Sequence, residues 1–454
     1  MKGARLAPAD FVKQKEHGMK LIEQIMSDVI LAEATEVVRK NKGAAGVDQV
    51  QARDIREYMQ EHTEEIRREV LEMTYSPQPV RRSYIPKPNG KKRPLGIPTA
   101  ADRVIQTAAK IALEPIFEAG FSESSFGFRP GRGQHDAMKQ ALEYVNEGYE
   151  WIVDLDIEKY FDTVNHDKLI SLIRTKVNDK ATLHLLRSFL RAGIMENGVV
   201  IENKEGTPQG GSISPLLSNI YLTPFDEELE RRGLRFCRFA DDVVIFVKSE
   251  RAAQRVVQSV TSWLDRKLFL KVSATKTKVV RPTKSAFLGF TFWKSTSGWK
   301  LKPLKDRKVR LYNKVREVLC RRKAAAKPLS EIFAVVNSKI RGWINYYGIG
   351  SMKGFLKTFG EWMRHKVRVV IFKQWKRPRT IFRNLSRLNR MFHCGFSDEE
   401  IRQTANSRLG LYRTAGMRTA IFLLSPTALG MENEKEDRPG LIDPLEYYTS
   451  RFNS

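Results

Sequence analysis

Apolar and polar positions alternate along this chain with two different periods, and the changes of period divide it into helices and strands. Residues 19–42 and 51–73 carry apolar side chains at spacings of three and four, which predicts two amphipathic helices. Residues 79–98 contain short β-type runs around a PNG turn, which predicts a hairpin with a basic tip. The pattern then favours further helices over 99–118 and 134–147.

Two later segments combine the period of a strand with acidic side chains. In WIVDLD (151–156) the apolar residues alternate with Asp154 and Asp156, so both carboxylates share one face of the predicted strand. In RFCRFADDVVIFV two β-type runs flank Asp241 and Asp242, which predicts a hairpin with adjacent carboxylates at its tip. Two strands that each end in carboxylates can pair and bring these groups into one cluster.

Such a cluster has a chemical reason only when a cation is present. Aspartate is common in exposed turns, and an ADD turn alone indicates no more than that. A cluster from two strands repels itself unless a cation neutralises it. Three carboxylates can hold two Mg²⁺ ions about 4 Å apart, an arrangement that activates a 3′-hydroxyl and stabilises the leaving pyrophosphate. The pattern predicts a nucleotidyl transferase and does not choose between Asp154 and Asp156.

The charge of the chain points to a polyanionic partner. Its 454 residues carry a net charge of +27, and the segment 301–391 contains 25 lysines and arginines against 4 acidic residues. This density favours nucleic-acid binding over a merely solvated basic surface. The basic residues alternate with large aromatics, and no apolar run approaches the roughly 18 residues that cross a bilayer, so we expect no membrane association.

The spacing of the cysteines and the composition of the first residues indicate the cellular compartment. Cys237, Cys320 and Cys394 are too far apart in sequence for a cysteine-rich zinc site or a disulfide framework. The first 20 residues have no apolar signal core. We therefore expect a cytoplasmic protein.

A series of short motifs runs along almost the whole chain. In chain order they are NKGAAGVD (41–48), IPKPNGKKRPLGIPTAADRVIQ (85–106), FGFRPGRG (126–133), DIEKYFD (156–162), GTPQGGSISPLLSNIYL (206–222), FADD (239–242), TKTK (275–278), FLGF (287–290) and SKIRGWINYYGIGSM (338–352). Together they resemble the motifs of the reverse transcriptase/maturase proteins encoded by bacterial group II introns. FADD departs from the commoner YADD but keeps the ring and both carboxylates. The resemblance is close to the lineage that lacks an endonuclease domain, so insertion would need a primer from elsewhere, such as a nascent DNA strand.

The resemblance implies an α+β fold of the right-hand polymerase type. Fingers and a palm with an antiparallel sheet would be followed by a helical thumb/maturase domain and a small C-terminal helical region that binds DNA. The implied ranges are 1–78 for the N-terminal extension of the fingers, 79–298 for fingers and palm, 299–375 for the thumb/maturase domain and 376–454 for the DNA-binding region.

The resemblance also selects the catalytic aspartate of the first strand, because the family's metal-binding Asp precedes an aromatic residue by five positions. Here these are Asp156 and Phe161, and the ring resembles the steric gate that leaves no room for a 2′-hydroxyl. The resemblance implies that Asp156, Asp241 and Asp242 are catalytic and hold two Mg²⁺ ions together with the backbone carbonyl of Ile157. The other aspartate of the strand becomes a flanking residue.

Contacts to the incoming nucleotide and to the primer follow in the same way. The implied dNTP contacts, from the basic hairpin, the gate, the PQG loop and the TKTK motif, are Lys87, Arg93, Phe161, Gln209 and Lys276. A planar guanidinium suits phosphate oxygens. Lys276 resembles a basic residue that can donate a proton to pyrophosphate, with Lys278 as the alternative. Leu288 and Gly289 resemble the primer grip.

The basic segment surrounds an aromatic stripe at helical spacing, Trp343, Tyr346 and Tyr347, which is typical of core packing. We expect the cations around it to contact the RNA or DNA backbone. The residues predicted for this role are Arg341, Lys353, Arg364, Lys373, Lys376, Arg377 and Arg379.

The implied activity is RNA-directed DNA polymerisation by a protein that also binds its intron RNA to promote splicing and retrohoming. Its partners would be intron RNA, an RNA template with a DNA or RNA primer, target DNA and dNTPs, with the protein as a monomer or homodimer. A polymerase-inactive RNA-binding splicing factor is one alternative, against which the intact aspartates argue. A reverse transcriptase domesticated for repair or defence is the other, and the protein sequence does not separate it from the first interpretation.

Overall fold

The computed structural model describes residues 19–86, 90, 92–196, 198–207, 210–432 and 439–452. Lys87 and Gln209, two of the predicted nucleotide contacts, lie outside the described residues. The described residues form two compact units, which are divided between Arg281 and Pro282. Both units contain helices and strands, in agreement with the predicted α+β class.

Several helices of the first unit begin where a capping side chain precedes an amphipathic run. The Thr99 side chain accepts a hydrogen bond from the backbone NH of Asp102, and Asn165 and Ser249 cap two further helices in the same way. The predicted helix over 19–42 is interrupted near Met26 and forms two helices. The helices are α1 (Leu21–Ile25), α2 (Asp28–Asn41), α3 (Ile55–Leu71), α4 (Ala100–Glu118), α5 (Gln134–Asn146), α6 (Tyr160–Thr163), α7 (His166–Arg174), α8 (Lys180–Arg191), α9 (Ser214–Arg231) and α10 (Glu250–Leu268).

The strands of the first unit form two four-stranded sheets. They are β1 (Val80–Pro86), β2 (Lys92–Ile97), β3 (Trp151–Asp156), β4 (Ile194–Glu196), β5 (Val199–Ile201), β6 (Arg235–Phe239), β7 (Asp242–Val247) and β8 (Lys278–Val280). One sheet has the order β2-β1-β4-β5 and the other has the order β6-β7-β3-β8. The neighbours in the second sheet pair antiparallel. Its two acidic strands, β3 and β7, therefore lie side by side in the interior of the sheet.

Alternation along β3 places its apolar side chains in the core of the first unit. Val153 and Leu155 are buried, whereas Asp154 and Asp156 on the other face are only partly buried. Complete burial of an aliphatic side chain of this size stabilises the folded state by roughly 1.5–3 kcal/mol. A shift of one residue in the pairing would place the carboxylates in the core, so the apolar face fixes the register.

The second unit is a two-stranded hairpin followed by helices. Its strands are β9 (Phe290–Ser295) and β10 (Gly298–Pro303). Its helices are α11 (Lys305–Val318), α12 (Arg321–Ala324), α13 (Leu329–Tyr347), α14 (Lys353–Trp375), α15 (Pro378–Met391), α16 (Asp398–Ala405), α17 (Leu411–Thr414), α18 (Arg418–Leu423), α19 (Pro426–Gly430) and α20 (Pro444–Phe452). Among the described residues, no helix is long and apolar enough to cross a bilayer.

The last helix of the second unit packs back against two earlier ones. Asn337 of α13 donates from Nδ2 to the carbonyl of Gly440 at 2.7 Å, and its Oδ1 accepts from the NH of Ile442 at 3.0 Å. The hydroxyl of Tyr448 in α20 donates to the carbonyl of Gly350 at 3.0 Å. These contacts join residues 98 to 105 positions apart and tie α20 to α13 and α14.

Candidate active site

The register of β3 on β7 places two of the predicted metal ligands directly opposite each other. Asp156 pairs with Asp242, and Asp154 pairs with Val244. Side chains of directly opposed residues in an antiparallel pair lie on the same face, with Cβ atoms about 4.5–5.5 Å apart. The third aspartate, Asp241, precedes Asp242 in the turn between β6 and β7. The sheet thus collects the three predicted carboxylates at one end of its central strands.

The turn that carries Asp241 is tight and strained. Phe239 pairs with Asp242, which leaves a two-residue turn of Ala240 and Asp241. Ala240 has φ +60°, although glycine is the usual residue with positive φ at the first position of such a turn. A non-glycine residue in this region costs about 1–2 kcal/mol, so the surrounding structure must hold the turn.

Burial and the neighbouring negative charges raise the pKa of Asp241 and of Asp242. Burial, followed by the charges of Asp241, Asp156 and Asp154, raises the pKa of Asp242 to about 6. Burial also raises the pKa of Asp241, and Arg93 is among the groups that oppose this shift. The Asp242 side chain is exposed to solvent. Repulsion by the neighbouring carboxylates is therefore a stronger physical reason for its raised pKa than burial is. Repulsion of this kind is relieved by a bound cation.

A lysine supplies that positive charge in the structure. The Lys276 ammonium donates to Asp156 Oδ1 at 3.0 Å, whereas Lys278 on β8 lies in register opposite Asp154. Within the described part of the chain, no three acidic, histidine or cysteine side chains converge as a metal site. The donor set nevertheless fits a hard cation, since it consists of carboxylate oxygens that repel one another. Asp156 would exchange its lysine partner for the metal.

The Ile157 carbonyl, the predicted fourth metal ligand, points away from the segment around Val272 that pairs with this part of the chain. Ile157 forms an isolated antiparallel bridge with Val272. The hydrogen bonds of this bridge run from Ser273 NH to the Asp156 carbonyl and from Glu158 NH to the Lys271 carbonyl. In a pair of this type the bridging residue's own carbonyl points to the opposite side. The Ile157 carbonyl is therefore not used by the bridge.

The predicted gate residue is locked to the glycine-rich loop. The Phe161 carbonyl accepts from Thr207 NH at 2.7 Å. A Cβ atom on Gly206, which has φ +87°, would lie 2.7 Å from that same carbonyl oxygen. The buried His166 donates from Nε2 to the Gly206 carbonyl at 2.7 Å, and burial lowers the pKa of His166. The loop is therefore joined to the backbone of Phe161 by a hydrogen bond and by a close approach that leaves no room for a side chain at position 206.

The same loop contacts the strand that carries Arg93. Gly210 has φ +124°, and a Cβ atom there would lie 2.4 Å from the Gly96 carbonyl oxygen. The NH of Ser212 donates to Gln106 Oε1 at 2.9 Å. Arg93 itself is exposed, and its charge lowers the pKa of both Asp241 and Asp242. The predicted phosphate contact and the carboxylates are thus electrostatically coupled.

A buried polar cluster behind the turn was missed by the sequence reasoning. Arg238 and Asp226 have fully buried side chains, and they form an ion pair through Nη2 and Oδ2 at 2.5 Å. Asn219 accepts from Arg238 Nη1 at 3.0 Å. The sequence does contain a signal for this cluster. Arg238 shares one face of the predicted strand with the apolar residues Phe236 and Ala240. A charged side chain on a buried face is rarely without a partner of opposite charge.

The predicted primer-grip residues lie in the second unit, where aromatic side chains hold them. Leu288 has φ +48°, and its carbonyl accepts from the Tyr346 hydroxyl at 3.1 Å. Gly289 has φ +82°, and a Cβ atom there would lie 2.8 Å from the Tyr347 hydroxyl. The Trp343–Tyr347 stripe thus packs within the unit, as its helical spacing predicted.

Most of the predicted backbone contacts of the second unit are exposed. Arg364 differs, because it is partly buried and its Nη1 donates to Asp443 at 2.7 Å. That internal ion pair gives it a role within the fold. The exposed members are Arg341, Lys353, Lys373, Lys376, Arg377 and Arg379.

Comparison with known proteins agrees with this geometry. Residues 85–292 match the family described as "Reverse transcriptase (RNA-dependent DNA polymerase)", and residues 309–389 match "Group II intron, maturase-specific domain". "Group II intron-encoded protein LtrA" of Lactococcus lactis subsp. cremoris is 30% identical, over 68% of this chain and 67% of that protein. "Protein YkfC" of Escherichia coli (strain K12) is 35% identical, over 57% of this chain and 79% of that protein.

A solved structure entitled "Partial Cas6-RT-Cas1--Cas2 complex" aligns with a TM-score of 0.35 and 23% identity, over 55% of this chain and 43% of that chain. The chain belongs to the family of group II intron-encoded reverse transcriptase/maturase proteins. It is an RNA-directed DNA polymerase that also has the maturase function of intron splicing.

Proposed function

We propose that Asp156, Asp241 and Asp242 are the catalytic carboxylates of the polymerase and that they hold two Mg²⁺ ions with the Ile157 carbonyl. The observation that supports this most is the register that sets Asp156 opposite Asp242 at the end of the central strands. Two Mg²⁺ ions, when bound, activate the primer 3′-hydroxyl and neutralise the leaving pyrophosphate. The protein supplies the placement of the carboxylates and the positive charges around them.

The chain's own residues would then divide the work on the nucleotide. Arg93, with Lys87, would bind the triphosphate through charge-assisted hydrogen bonds, and Gln209 would contact the incoming nucleotide. Phe161 would lie under the sugar and exclude a 2′-hydroxyl. Lys276 forms an ion pair with Asp156. Once a metal ion replaces the lysine at this carboxylate, the Lys276 ammonium would be free to donate a proton to pyrophosphate. This position favours Lys276 over Lys278 as the proton donor.

The larger architecture is part of the same proposal. The right-hand division would place the N-terminal extension in 1–78, fingers and palm in 79–298, thumb/maturase domain in 299–375 and DNA-binding region in 376–454. Leu288 and Gly289 would hold the primer end. Exposed cations of the second unit would bind intron RNA, the template–primer duplex and target DNA mainly through phosphates. Retrohoming in the bacterial cytoplasm, near the nucleoid, would follow from these contacts.

Primer extension on a long RNA template with dNTPs and Mg²⁺ tests the assignment. Asp241→Ala should abolish cDNA synthesis, while its affinity for RNA stays close to wild type because phosphate contacts dominate binding. Asp154→Asn is the matched control, since this aspartate shares the face of β3 but lies two residue pairs away from the Asp156–Asp242 pair. It should keep activity within a few-fold of wild type. Comparable cDNA yield from Asp241→Ala would refute the proposed site.

A further inference from the structure

We propose that Arg238 is a positioning residue for the metal site, because its buried guanidinium holds the Ala240 carbonyl and thereby fixes the turn that carries Asp241. The inference rests on the proposed function, since the turn matters for catalysis only if Asp241 binds metal. Arg238 touches no reacting group in this role and acts through the backbone of the turn.

The ion pair behind the turn is completely removed from solvent. Arg238 Nε donates to both carboxylate oxygens of Asp226, at 2.8 and 3.0 Å, and both side chains are 0% exposed. The desolvation of two charges offsets most of their attraction, and apolar replacements of such pairs often fold equally well. Stability therefore gives a weak reason for a charged pair at this position, and its specific contacts give a better one.

Those contacts lead to the catalytic turn. Arg238 Nη1 donates to the Ala240 carbonyl at 3.1 Å and to Asn219 Oδ1 at 3.0 Å. Asn219 in turn donates from Nδ2 to the Gly127 carbonyl at 2.9 Å. A Cβ atom on Gly127 would lie 2.2 Å from the NH nitrogen of Ala240. The turn is thus held on one side by a guanidinium and on the other by a close backbone approach.

The backbone NH and carbonyl of Arg238 are held by hydrogen bonds as well. The NH of Arg238 donates to the Ser124 carbonyl, and its own carbonyl accepts from the NH of Phe126, both at 2.8 Å. The side chain therefore starts from a fixed position and ends on the strained residue Ala240. Removal of the donor leaves the positive φ of Ala240 with fewer contacts to enforce it.

A double variant separates positioning from stability. Asp226→Leu with Arg238→Met removes both charges together, so no unpaired charge is buried. We expect its thermal midpoint to stay near that of wild type. We expect amide hydrogen exchange in the metal-free protein to accelerate in the peptide that spans 236–244. We also expect kcat to fall on the order of 10²-fold, with a higher Mg²⁺ requirement and little change in RNA affinity.

Two further variants make the test specific. Ala240→Gly in the double-variant background removes the steric cost of positive φ, and it should recover part of the kcat. Arg368→Lys is the matched control, because Arg368 is a buried arginine of the second unit that donates to the Ala415 and Leu424 carbonyls. It should leave the Mg²⁺ requirement unchanged, even if the thermal midpoint falls.

Each outcome decides the inference. If the double variant does not fold, Arg238→Lys takes its place. It keeps a positive charge for Asp226 but cannot reach the carboxylate and the Ala240 carbonyl with one planar fork. A folded variant that keeps the kcat, the Mg²⁺ requirement and the amide hydrogen exchange of the wild type would overturn the positioning role of Arg238 and leave the proposed catalytic site standing. Full activity of Asp241→Ala would overturn the proposed site and the positioning role with it.

Discussion

At the scale of single residues, the site depends on charges placed close to like charges. Asp156 faces Asp242 across the pair, and Lys276 neutralises the first of them. The arrangement is unfavourable without a cation, and the raised pKa of Asp242 expresses that cost. The neighbouring residues Phe161 and His166 each support a separate prediction.

The aromatic ring at position 161 should decide which sugar is accepted. Phe161→Val keeps a branched apolar side chain but opens the space that a ring would fill. We expect incorporation of ribonucleotides relative to deoxyribonucleotides to rise about 10–200-fold, the range that relief of one steric clash supports. Single-nucleotide extension with each substrate measures the ratio of kcat/KM values. An unchanged ratio would mean that Phe161 only packs within the fold. Tyr160→Phe is the control, because it alters the neighbouring buried residue by removing a hydroxyl and keeps the Phe161 ring.

The stability of the first unit should depend on the protonation of His166. Burial lowers the pKa of His166 in the folded state below its ordinary value of 6.5. The unfolded chain therefore binds more protons at mildly acidic pH, and the free energy of unfolding falls as the pH decreases below about 6.5. Thermal midpoints of metal-free protein between pH 5 and 8 should show this slope. His166→Gln should flatten it, and an equal slope in both proteins would contradict the prediction.

At the scale of elements, the loop that carries Gly206 and Gly210 is fitted against helix α6 and strand β2. Gly206 lies against the Phe161 carbonyl, and Gly210 lies against the Gly96 carbonyl of β2. The loop has no room for a side chain at either point. Its position therefore depends on backbone shape more than on apolar burial.

Substitution of one glycine should show how closely the loop fits. Gly206→Ala introduces a Cβ atom beside the Phe161 carbonyl and also places alanine at positive φ, at a cost of about 1–3 kcal/mol. We expect the thermal midpoint to fall by roughly 2–4 °C for each kcal/mol and KM for dNTP to rise. Gly148→Ala is the control, because Gly148 has φ +91° and open space around its Cβ position. It should lower the midpoint with unchanged KM.

The elements themselves were largely readable from the sequence, because period and capping are local properties. The hairpin at 235–247, the strand at 151–156 and the helix over 99–118 follow from the pattern of apolar positions alone. The break after Met26 did not, since the apolar spacing continues through it. The Asp226–Arg238 pair also escaped, because burial of both partners depends on how a helix and a strand pack.

At the scale of the whole molecule, positive charge is concentrated in the second unit. Helix α15 buries Ile381 and Leu385 on one side and exposes Arg383, Arg387 and Arg390 on the other. This is the geometry of an amphipathic helix whose polar face is entirely basic. The proposed DNA-binding region should therefore contact phosphates from this face.

Salt dependence can measure how many phosphates this face binds. Replacement of Arg383, Arg387 and Arg390 by Gln, one after another, should reduce the slope of log K for duplex DNA against log salt by about 0.9 for each phosphate-binding arginine removed. Binding titrations between 50 and 300 mM salt, on the order of the physiological range, give the slopes. Arg231→Gln, which removes an exposed arginine paired with Glu228 in the first unit, is the control. Three substitutions without any change of slope would exclude α15 from the DNA interface.

The return of α20 onto α13 and α14 has a consequence for synthesis. Asn337 needs the backbone of residues 440 and 442 as its partners, and these leave the ribosome about 100 residues later. At translation rates of 5–20 residues per second, the interval is roughly 5–20 s. In the later part of this interval α13 and α14 have been translated and their closing helix has not. Helix α14 carries six lysines and arginines against one glutamate, so a strongly basic surface is open to nucleic acid before α20 packs against it.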